Sequence, residues 1–331
     1  MEDYLDGISI EGGPMDTLRK VPELSLMSFL NGTTNDKTTF VNNLFTGLKD
    51  YGFIILVDHP VDHKVTNKAY DLIHEFYQLP AAIKDQYKCK EGGGQRGYTA
   101  FGVEHAKNSQ YPDLKEFWHV GRELVTNPKF KQYLPDNIWP SEITEFKDTF
   151  LKLYNGLDTT STIVLDALGM ALDLPQAYFR NMLQDGNSIL RAIHYPPLDE
   201  RAPVNSVRAA AHEDINLITV MVGATTSGLE LLDRDGKWLQ VNCNEKQLVV
   251  DSGDMLSRLT NDVIPATTHR VVNPTVGANT NRYSMPFFTH PNPDTMLTCV
   301  PSCRGTGEKY EPINSHEWLM VRLKEIGLLK K

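Results

Sequence analysis

Two histidines and an aspartate in this sequence have the types and spacing of a metal site. His212 and Asp214 stand two positions apart, directly before the apolar run 217–222. In an extended chain, side chains at i and i+2 project from the same face, so this imidazole and carboxylate converge while Glu213 points away. A further histidine, His269, lies in a later β-branched run. By itself, the His-x-Asp pair would be interpreted as an ordinary pair of surface side chains. Together with His269 it supplies a 2-His-1-carboxylate triad, a set of ligands that holds Fe(II) and leaves coordination positions open.

An arginine and a serine follow His269 on a predicted strand. Arg282 and Ser284 are again two positions apart, so their side chains share one face. The planar guanidinium presents a fork of donors to a carboxylate, and a serine hydroxyl adds a further hydrogen bond. The pair therefore suits a dicarboxylate such as 2-oxoglutarate.

In this order and spacing, His212-x-Asp214, His269 and Arg282-x-Ser284 resemble the iron(II)/2-oxoglutarate-dependent oxygenases, in the branch that includes isopenicillin N synthase. The resemblance implies that the two histidines and the aspartate are the metal ligands and catalytic residues. It implies that Arg282 and Ser284 bind 2-oxoglutarate as co-substrate and that O2 is the oxidant. The implied reaction oxidises a small-molecule substrate, by hydroxylation or desaturation, and releases succinate and CO2.

Two positions bear on the co-substrate. Tyr195 matches a tyrosine that often hydrogen-bonds 2-oxoglutarate in this family, although a barrel aromatic that merely packs is an equal interpretation. Plant-type members usually have asparagine two residues earlier, where this chain has Ile193. The spacing from His269 to Arg282 is also long, and we interpret the segment 275–279 as an extended hairpin turn that keeps the strand register.

Three other functions remain open from the sequence. An oxidase like isopenicillin N synthase needs no 2-oxoglutarate, and its Arg-x-Ser pair binds the substrate's own carboxylate. A non-catalytic jelly-roll binding protein is disfavoured by the intact triad. A zinc hydrolase needs a general base nearby, and Glu213 faces away from the three ligands.

Composition limits the partners. The chain has 331 residues, 40% hydrophobic and 23% charged, as in soluble globular proteins. The net charge of −9 argues against nucleic acid as a main partner. No apolar run approaches the roughly 20 residues of a membrane-spanning helix, and the acidic start is unlike a signal peptide. The four cysteines are few and scattered, so we expect reduced thiols and a cytoplasmic protein of undetermined oligomeric state.

The pattern of elements divides the chain in two. Helical periodicity begins at Asp36, the predicted N-cap, and recurs over about 62–78 and from Ser141 to Leu174, with a buried strand within 51–60. This order resembles the N-terminal region of the same family. Short β runs then follow at 189–195, 217–222, 229–232, 238–241, 248–250, 267–272 and 283–289, with a hairpin turn at 233–236.

We therefore expect a mostly β fold with flanking α-helices. Antiparallel strands at this spacing indicate a sandwich or barrel, and the resemblance implies a double-stranded β-helix, or jelly roll, with the metal in its open mouth. Residues 1–185 would form a mainly helical N-terminal region packed on the barrel. Residues 186–331 would form the jelly-roll core with a C-terminal helix, and the two would make one compact unit.

Substrate contacts are the least determined part of the site. The glycine-rich stretch 91–98 is no phosphate loop, because it lacks a Gly-Lys-Ser/Thr ending. We interpret this stretch as a flexible loop that would bring Arg96 and Tyr98 to the substrate. A surface loop without a function is at least as consistent with the sequence. Phe288, at the end of the Arg282 strand, is the third candidate for a substrate contact.

Overall fold

Two β-sheets face one another in the computed structural model, which describes residues 19–89, 95–105, 111–198, 205–274 and 279–325. The helices are α1 Leu26–Asn31, α2 Thr34–Tyr51, α3 His63–Gln78, α4 Ala81–Lys84, α5 Phe146–Ala171, α6 Tyr178–Leu183, α7 Asp254–Leu259 and α8 Ser315–Glu325. The strands are β1 Glu23–Ser25, β2 Phe53–Val57, β3 Gly97–Thr99, β4 Glu116–Gly121, β5 Ile189–Tyr195, β6 Ala209–His212, β7 Ile218–Val222, β8 Leu229–Leu232, β9 Trp238–Gln240, β10 Leu248–Ser252, β11 His269–Val271, β12 Arg282–Thr289, β13 Met296–Leu297 and β14 Ile313–Asn314.

The strands from β5 to β12 alternate between the two sheets, apart from the β8–β9 hairpin. The larger sheet has the order β1-β2-β10-β7-β12-β5-β4-β3, and the smaller has the order β6-β11-β8-β9. All neighbouring strands of these sheets are antiparallel except β1 and β2. Four core strands therefore lie in each sheet, which is the arrangement of a jelly roll. The predicted fold of antiparallel sheets with flanking helices is confirmed.

The larger sheet is buried on both faces. On β2, Phe53 and Ile55 join the apolar cluster between the sheets, whereas Ile54 and Leu56 join the cluster under the helices. Successive side chains of a strand point to opposite faces, so β2 needs apolar residues at every position. The helix α5 packs on the outer face of the larger sheet and also contacts α2, α3 and α6.

The N-terminal part of the chain extends both ends of the larger sheet. β1 and β2 lie beside β10, and β4 and β3 lie beside β5. A boundary between residues 185 and 186 therefore falls within a continuous sheet, with hydrogen-bonded strands from both sides of it.

One local prediction, the N-cap at Asp36, was wrong. The helix α2 begins two residues before Asp36, because Thr33 is the N-cap. Asp36 instead accepts a hydrogen bond from the Thr33 backbone N–H at 2.9 Å, while its own N–H donates to the Thr33 hydroxyl, so the two form a capping box. The strands on either side of the predicted hairpin turn 275–279, β11 and β12, lie in different sheets and are not paired with each other. Residues 275–278 of that segment lie outside the described residues.

A glycine joins α2 to β2 where the chain lies close to Thr267, two residues before β11. Gly52 has φ 66°, the left-handed conformation of a helix C-terminus, and its N–H donates to the Leu48 carbonyl at 2.8 Å. A Cβ at this position would lie 2.0 Å from Oγ1 of Thr267. The Thr267 hydroxyl donates to the Tyr51 carbonyl at 2.9 Å, so it is held in place.

Within the described helices, no segment has both the length and the apolar character needed to cross a membrane.

We predict that Gly52→Ala lowers the free energy of unfolding more than Gly236→Ala does. Gly236 also has a positive φ, 79°, but nothing lies within 4 Å of a Cβ built there. Gly236→Ala should therefore cost only the conformational penalty of about 1–2 kcal/mol. Gly52→Ala should cost about 1–3 kcal/mol more, because Thr267 must be displaced. Urea denaturation of both variants measures the difference, and equal losses would contradict the close contact.

Candidate metal centre

The two histidines of the predicted triad lie directly opposite each other. β6 ends at His212, β11 begins at His269, and the two residues are paired in the antiparallel register. Their ring centroids are 4.5 Å apart. Oδ1 of Asp214 lies 3.7 Å from Nε2 of His212 and 3.8 Å from Nε2 of His269. One donor atom from each side chain lies within 4.8 Å of the others, so the three fit around a single metal ion.

Both imidazoles are oriented by the backbone. Nδ1 of His212 lies 2.7 Å from the Ala210 carbonyl, and Nδ1 of His269 lies 3.1 Å from the Thr267 carbonyl. A proton on each Nδ1 makes these contacts hydrogen bonds and leaves the Nε2 lone pair facing the third ligand. Burial, aided by the adjacent His269, lowers the pKa of His212 to about 4. The ring is therefore neutral at pH 7, as a metal ligand must be.

The carboxylate is oriented by a short chain of side chains. The Thr219 hydroxyl donates to Oδ2 of Asp214, and Nδ2 of Asn216 donates to the Thr219 hydroxyl at 2.7 Å. The Asp214 carbonyl also accepts from the Asp254 N–H at 2.9 Å. These contacts engage one carboxylate oxygen and leave Oδ1 facing the histidines. Glu213, between the two ligands, is exposed.

Arg282 lies in the same cavity as the triad with a donor to spare. Its side chain is buried, and Nε donates to the Thr226 carbonyl at 3.2 Å. Nη1 has no hydrogen-bond partner among the described residues. Tyr195 lies opposite Arg282 in the β5–β12 register, and its ring centroid is 5.0 Å from the guanidinium carbon. A buried cation with an unpaired donor is costly unless an anion binds it, so this position fits a carboxylate.

Alternate residues of β12 line the inside of the barrel. Arg282, Ser284 and Phe288 border a cavity of about 60 Å³ that the triad also lines. Phe288 also borders an adjoining cavity of about 120 Å³, together with His212 and Asp214. The structure thus brings the predicted metal ligands, Arg282, Ser284, Tyr195 and Phe288 into two connected spaces.

The structure places Arg96 and Tyr98, both predicted to contact substrate, away from the two cavities. Arg96 is fully buried and donates to the carbonyls of Pro135 and Gln95, and neither it nor Tyr98 borders either cavity. Tyr98 lies on β3, where its ring packs on Phe76 of α3. Its side chain therefore points to the helix-covered face of the sheet, away from the triad. Residues 91–94 of the predicted flexible loop lie outside the described residues.

Sequence reasoning missed a charged group beside the metal ligands. Lys115 and Arg191 border both cavities, and Glu104 and Asp113 border the larger one. Arg191 had a detectable signal, because it is the single charged residue within the apolar run Ile189–Ile193. A charge inside a buried strand generally faces a partner or a cavity.

Comparisons with known proteins agree with this geometry. Residues 21–142 match the family described as non-haem dioxygenase in morphine synthesis, N-terminal. Residues 186–291 match the 2OG-Fe(II) oxygenase superfamily. A 2-oxoglutarate-Fe(II) type oxidoreductase of Emericella nidulans, hxnY, is 28% identical over 91% of this chain and 88% of its own length.

Solved structures extend the likeness to the fold. A 2OG-Fe(II) oxygenase family protein of Caulobacter crescentus is 43% identical, covers 92% of this chain and 98% of its own, and superposes with a TM-score of 0.82. A full-length protein of Neurospora crassa, solved in complex with alpha-KG and thymine, is 27% identical with a TM-score of 0.83, and the match covers 94% of this chain and 98% of the Neurospora chain.

We predict that Thr219→Val weakens Fe(II) binding. The substitution keeps the shape of the side chain but removes the hydroxyl that orients Asp214, and loss of such a hydrogen bond typically costs roughly 10–100-fold in metal affinity. Anaerobic Fe(II) titration measures the change. Thr162→Val is the control, because the Thr162 hydroxyl donates to the Asp158 carbonyl within α5. Equal Fe(II) affinity in the two variants would contradict the orienting role.

Proposed function

Because the chain belongs to the 2OG-Fe(II) oxygenase superfamily, we propose that His212, Asp214 and His269 hold its Fe(II) and that Arg282 binds 2-oxoglutarate. The chain is an oxidoreductase, an Fe(II)- and 2-oxoglutarate-dependent dioxygenase. The observation that supports the assignment of residues is the unpaired Nη1 of Arg282, buried in the same cavity as the three ligands. The alternative of an oxidase without 2-oxoglutarate finds no support among relatives that are named for this co-substrate or hold it.

When bound, Fe(II) and 2-oxoglutarate supply oxidative chemistry in which O2 oxidises the substrate and 2-oxoglutarate becomes succinate and CO2. The chain's own residues fix the positions of these groups. The Ala210 and Thr267 carbonyls hold the imidazoles with Nε2 towards the metal position, and Thr219 holds Asp214. Two imidazoles and one carboxylate leave room for further ligands.

We assign the remaining co-substrate contacts to Ser284 and Tyr195. Arg282 would bind the distal carboxylate of 2-oxoglutarate, and the neighbouring Ser284 hydroxyl would donate to the same group. Tyr195 lies beside the guanidinium and closes that end of the cavity. Ile193 also borders this cavity, and its apolar side chain offers no hydrogen bond to the co-substrate.

We propose that substrate binds in the larger cavity against Phe288. The cavity of about 120 Å³ has space for a small molecule and lies directly beside His212 and Asp214. A related structure holds thymine, and another holds 5-formyluracil, which agrees with a small-molecule substrate. The net charge of −9 disfavours nucleic acid as a partner.

We further propose that the N-terminal region and the jelly-roll core form one compact unit. The shared eight-stranded sheet supports this, because separating the two regions would break the pairing of β2 with β10 and of β4 with β5. A reducing compartment, the cytoplasm, agrees with cysteines that are thiols in the described part of the chain.

We predict that His212→Ala and His269→Ala each abolish stoichiometric Fe(II) binding at micromolar metal. Each substitution removes one of the three protein ligands. His316→Ala, on α8, is the control, because His316 contacts Tyr133 and is not part of the triad. Anaerobic titration with Fe(II) gives the result, and wild-type affinity in both ligand variants would overturn the assignment.

We predict that Arg282→Leu weakens 2-oxoglutarate binding by roughly 10–100-fold, the effect of losing a charge-assisted hydrogen bond of ~1.5–3 kcal/mol. Arg282→Lys should recover only part of the loss, because an ammonium does not reproduce the bidentate fork. Arg270→Leu is the control, since Arg270 pairs with Glu230 and stacks on Trp238 away from the cavity. The measurement is the 2-oxoglutarate concentration for half-maximal succinate release, and equal values for Arg282→Leu and the wild type would contradict the assignment.

A further inference from the structure

Four charged side chains beside the larger cavity, three of them buried and that of Arg191 partly buried, neutralise one another. Nζ of Lys115 lies 2.7 Å from Glu104 and 2.8 Å from Asp113, and Nη1 of Arg191 lies 3.1 Å from Glu104. Although burial opposes it, the positive charges of Arg191 and Lys115 hold the pKa of Glu104 well below its usual value. The carboxylates likewise raise the pKa of Lys115 against the effect of burial. The group is therefore two cations and two anions at neutral pH.

This balance disfavours a charged substrate. An anion bound at Arg191 would lie next to the Glu104 carboxylate, which already accepts from the same guanidinium. A cation bound at Glu104 would lie next to Lys115 and Arg191. Like charges repel strongly where water is scarce, so the larger cavity suits a molecule without net charge.

Two aromatic rings lie close to the Arg191 guanidinium. Its central carbon lies 4.2 Å from the ring centroid of Phe117 and 5.0 Å from that of Phe288, so aromatic rings pack close to the guanidinium. Nε donates to Nε2 of His119 at 2.6 Å, and Nη1 donates to Glu104. Since a guanidinium has five N–H donors in one plane, donors remain for an acceptor that lies in that plane.

His290 supplies a second, independent polar group without a partner. It follows Phe288 by two residues and borders the same cavity. The side chain is 6% exposed, and its Nδ1 has no hydrogen-bond partner among the described residues. Burial lowers the pKa of His290 to about 4, so the ring is neutral and Nδ1 either donates or accepts according to its tautomer. Since buried polar atoms generally have a hydrogen-bond partner, Nδ1 is available to a ligand in this cavity.

Apolar side chains line much of the remaining wall, beside Gln95, His105 and the exposed Glu213. Ile189 and Ile215 come from the barrel, and Leu319 and Leu323 come from α8. With a volume of about 120 Å³, the space fits roughly one small ring.

We propose that the substrate is an uncharged, planar cyclic amide or imide, with its polar edge held by Arg191 and His290 and its ring against Phe288. This proposal rests on the proposed function. An amide edge presents a C=O acceptor and an N–H donor side by side in one plane. Its carbonyl accepts from Arg191, and its second polar group pairs with Nδ1 of His290.

Calorimetric titration of the full chain with Fe(II) and 2-oxoglutarate, without O2, tests the proposal. The neutral probes are thymine and glutarimide, and the charged probes are benzoate, nicotinate and benzylamine. We expect at least one neutral probe to bind tenfold or more tightly than every charged probe. Tighter binding of a charged probe, or no binding of either imide at millimolar concentration, would overturn the proposal. Failure of the proposed function is distinguishable, because it appears as no binding of 2-oxoglutarate in a separate titration.

A gain of binding gives a sharper test. Glu104→Gln removes one anion from the group while Lys115 keeps Asp113, so benzoate binding should improve at least tenfold. A misfolded variant cannot produce this gain. Glu230→Gln, which alters an ion pair outside the cavity, is the control and should leave benzoate binding unchanged. Equal benzoate affinity in Glu104→Gln and the wild type would contradict the electrostatic argument.

Two loss variants complete the experiment. Arg191→Met and His290→Leu should each weaken imide binding at least tenfold, and His290→Leu, which lies outside the cavity of Arg282, should leave 2-oxoglutarate affinity within about twofold. Arg180→Met, which removes an exposed arginine paired with Asp166, should change neither affinity. Imide binding that survives both substitutions would overturn the assignment of these residues.

Discussion

The site depends on the antiparallel pairing of His212 with His269 across β6 and β11. The two residues are far apart in the chain, and only this register brings both Nε2 atoms towards Asp214. A shift of one residue on either strand would turn a histidine to the opposite face. The N-terminal region helps to fix the register, because Thr267 both orients the His269 ring and donates to the Tyr51 carbonyl. The metal position is therefore tied to the α2–β2 corner as well as to the barrel.

Inward-facing side chains of β12 and β5 line both the cavity proposed for 2-oxoglutarate and the cavity proposed for substrate. On β12, inward positions run from Arg282 at one end to Phe288 near the other. On β5 they run from Tyr195, beside Arg282, to Arg191 and Ile189. Each strand thus contributes to the co-substrate end and the substrate end at once. His212 and Asp214 border both cavities, so a substrate in the larger cavity would lie next to the proposed metal position.

Local patterns in the sequence were sufficient where the chemistry comes from residues two apart. Arg282 and Ser284 share a face of β12 for this reason, whereas Asp214 lies two residues beyond His212, where β6 ends, and the structure brings both pairs to one cavity. The order of β runs, with the family resemblance, also led to the correct fold. Tyr98 shows where such reasoning ends. In a sheet buried on both faces, alternation does not tell which face a given residue occupies, and Tyr98 lies on the helix side.

The missed charges depend on contacts that no local pattern contains. Glu104, Asp113 and Lys115 come from an irregular segment, and their pairing with Arg191 exists only after β4 and β5 align. A buried group of ion pairs is rarely more stabilising than apolar residues in its place. We therefore attribute these ion pairs to the selection of substrate.

The two arginines inside the barrel, Arg282 and Arg191, differ in whether a carboxylate of the protein pairs with them. Arg282 has no carboxylate partner among the described residues, whereas Arg191 is paired with Glu104. The Arg282 guanidinium is buried and that of Arg191 on the neighbouring strand is partly buried, and 2-oxoglutarate carries a carboxylate at each end. If both arginines were unpaired, the co-substrate would be attracted to the substrate cavity as well as to its own. Neutralising Arg191 within the protein makes the substrate cavity unfavourable for 2-oxoglutarate, because an added carboxylate there meets Glu104. The ion pair that we propose to select a neutral substrate would therefore also direct the co-substrate to Arg282.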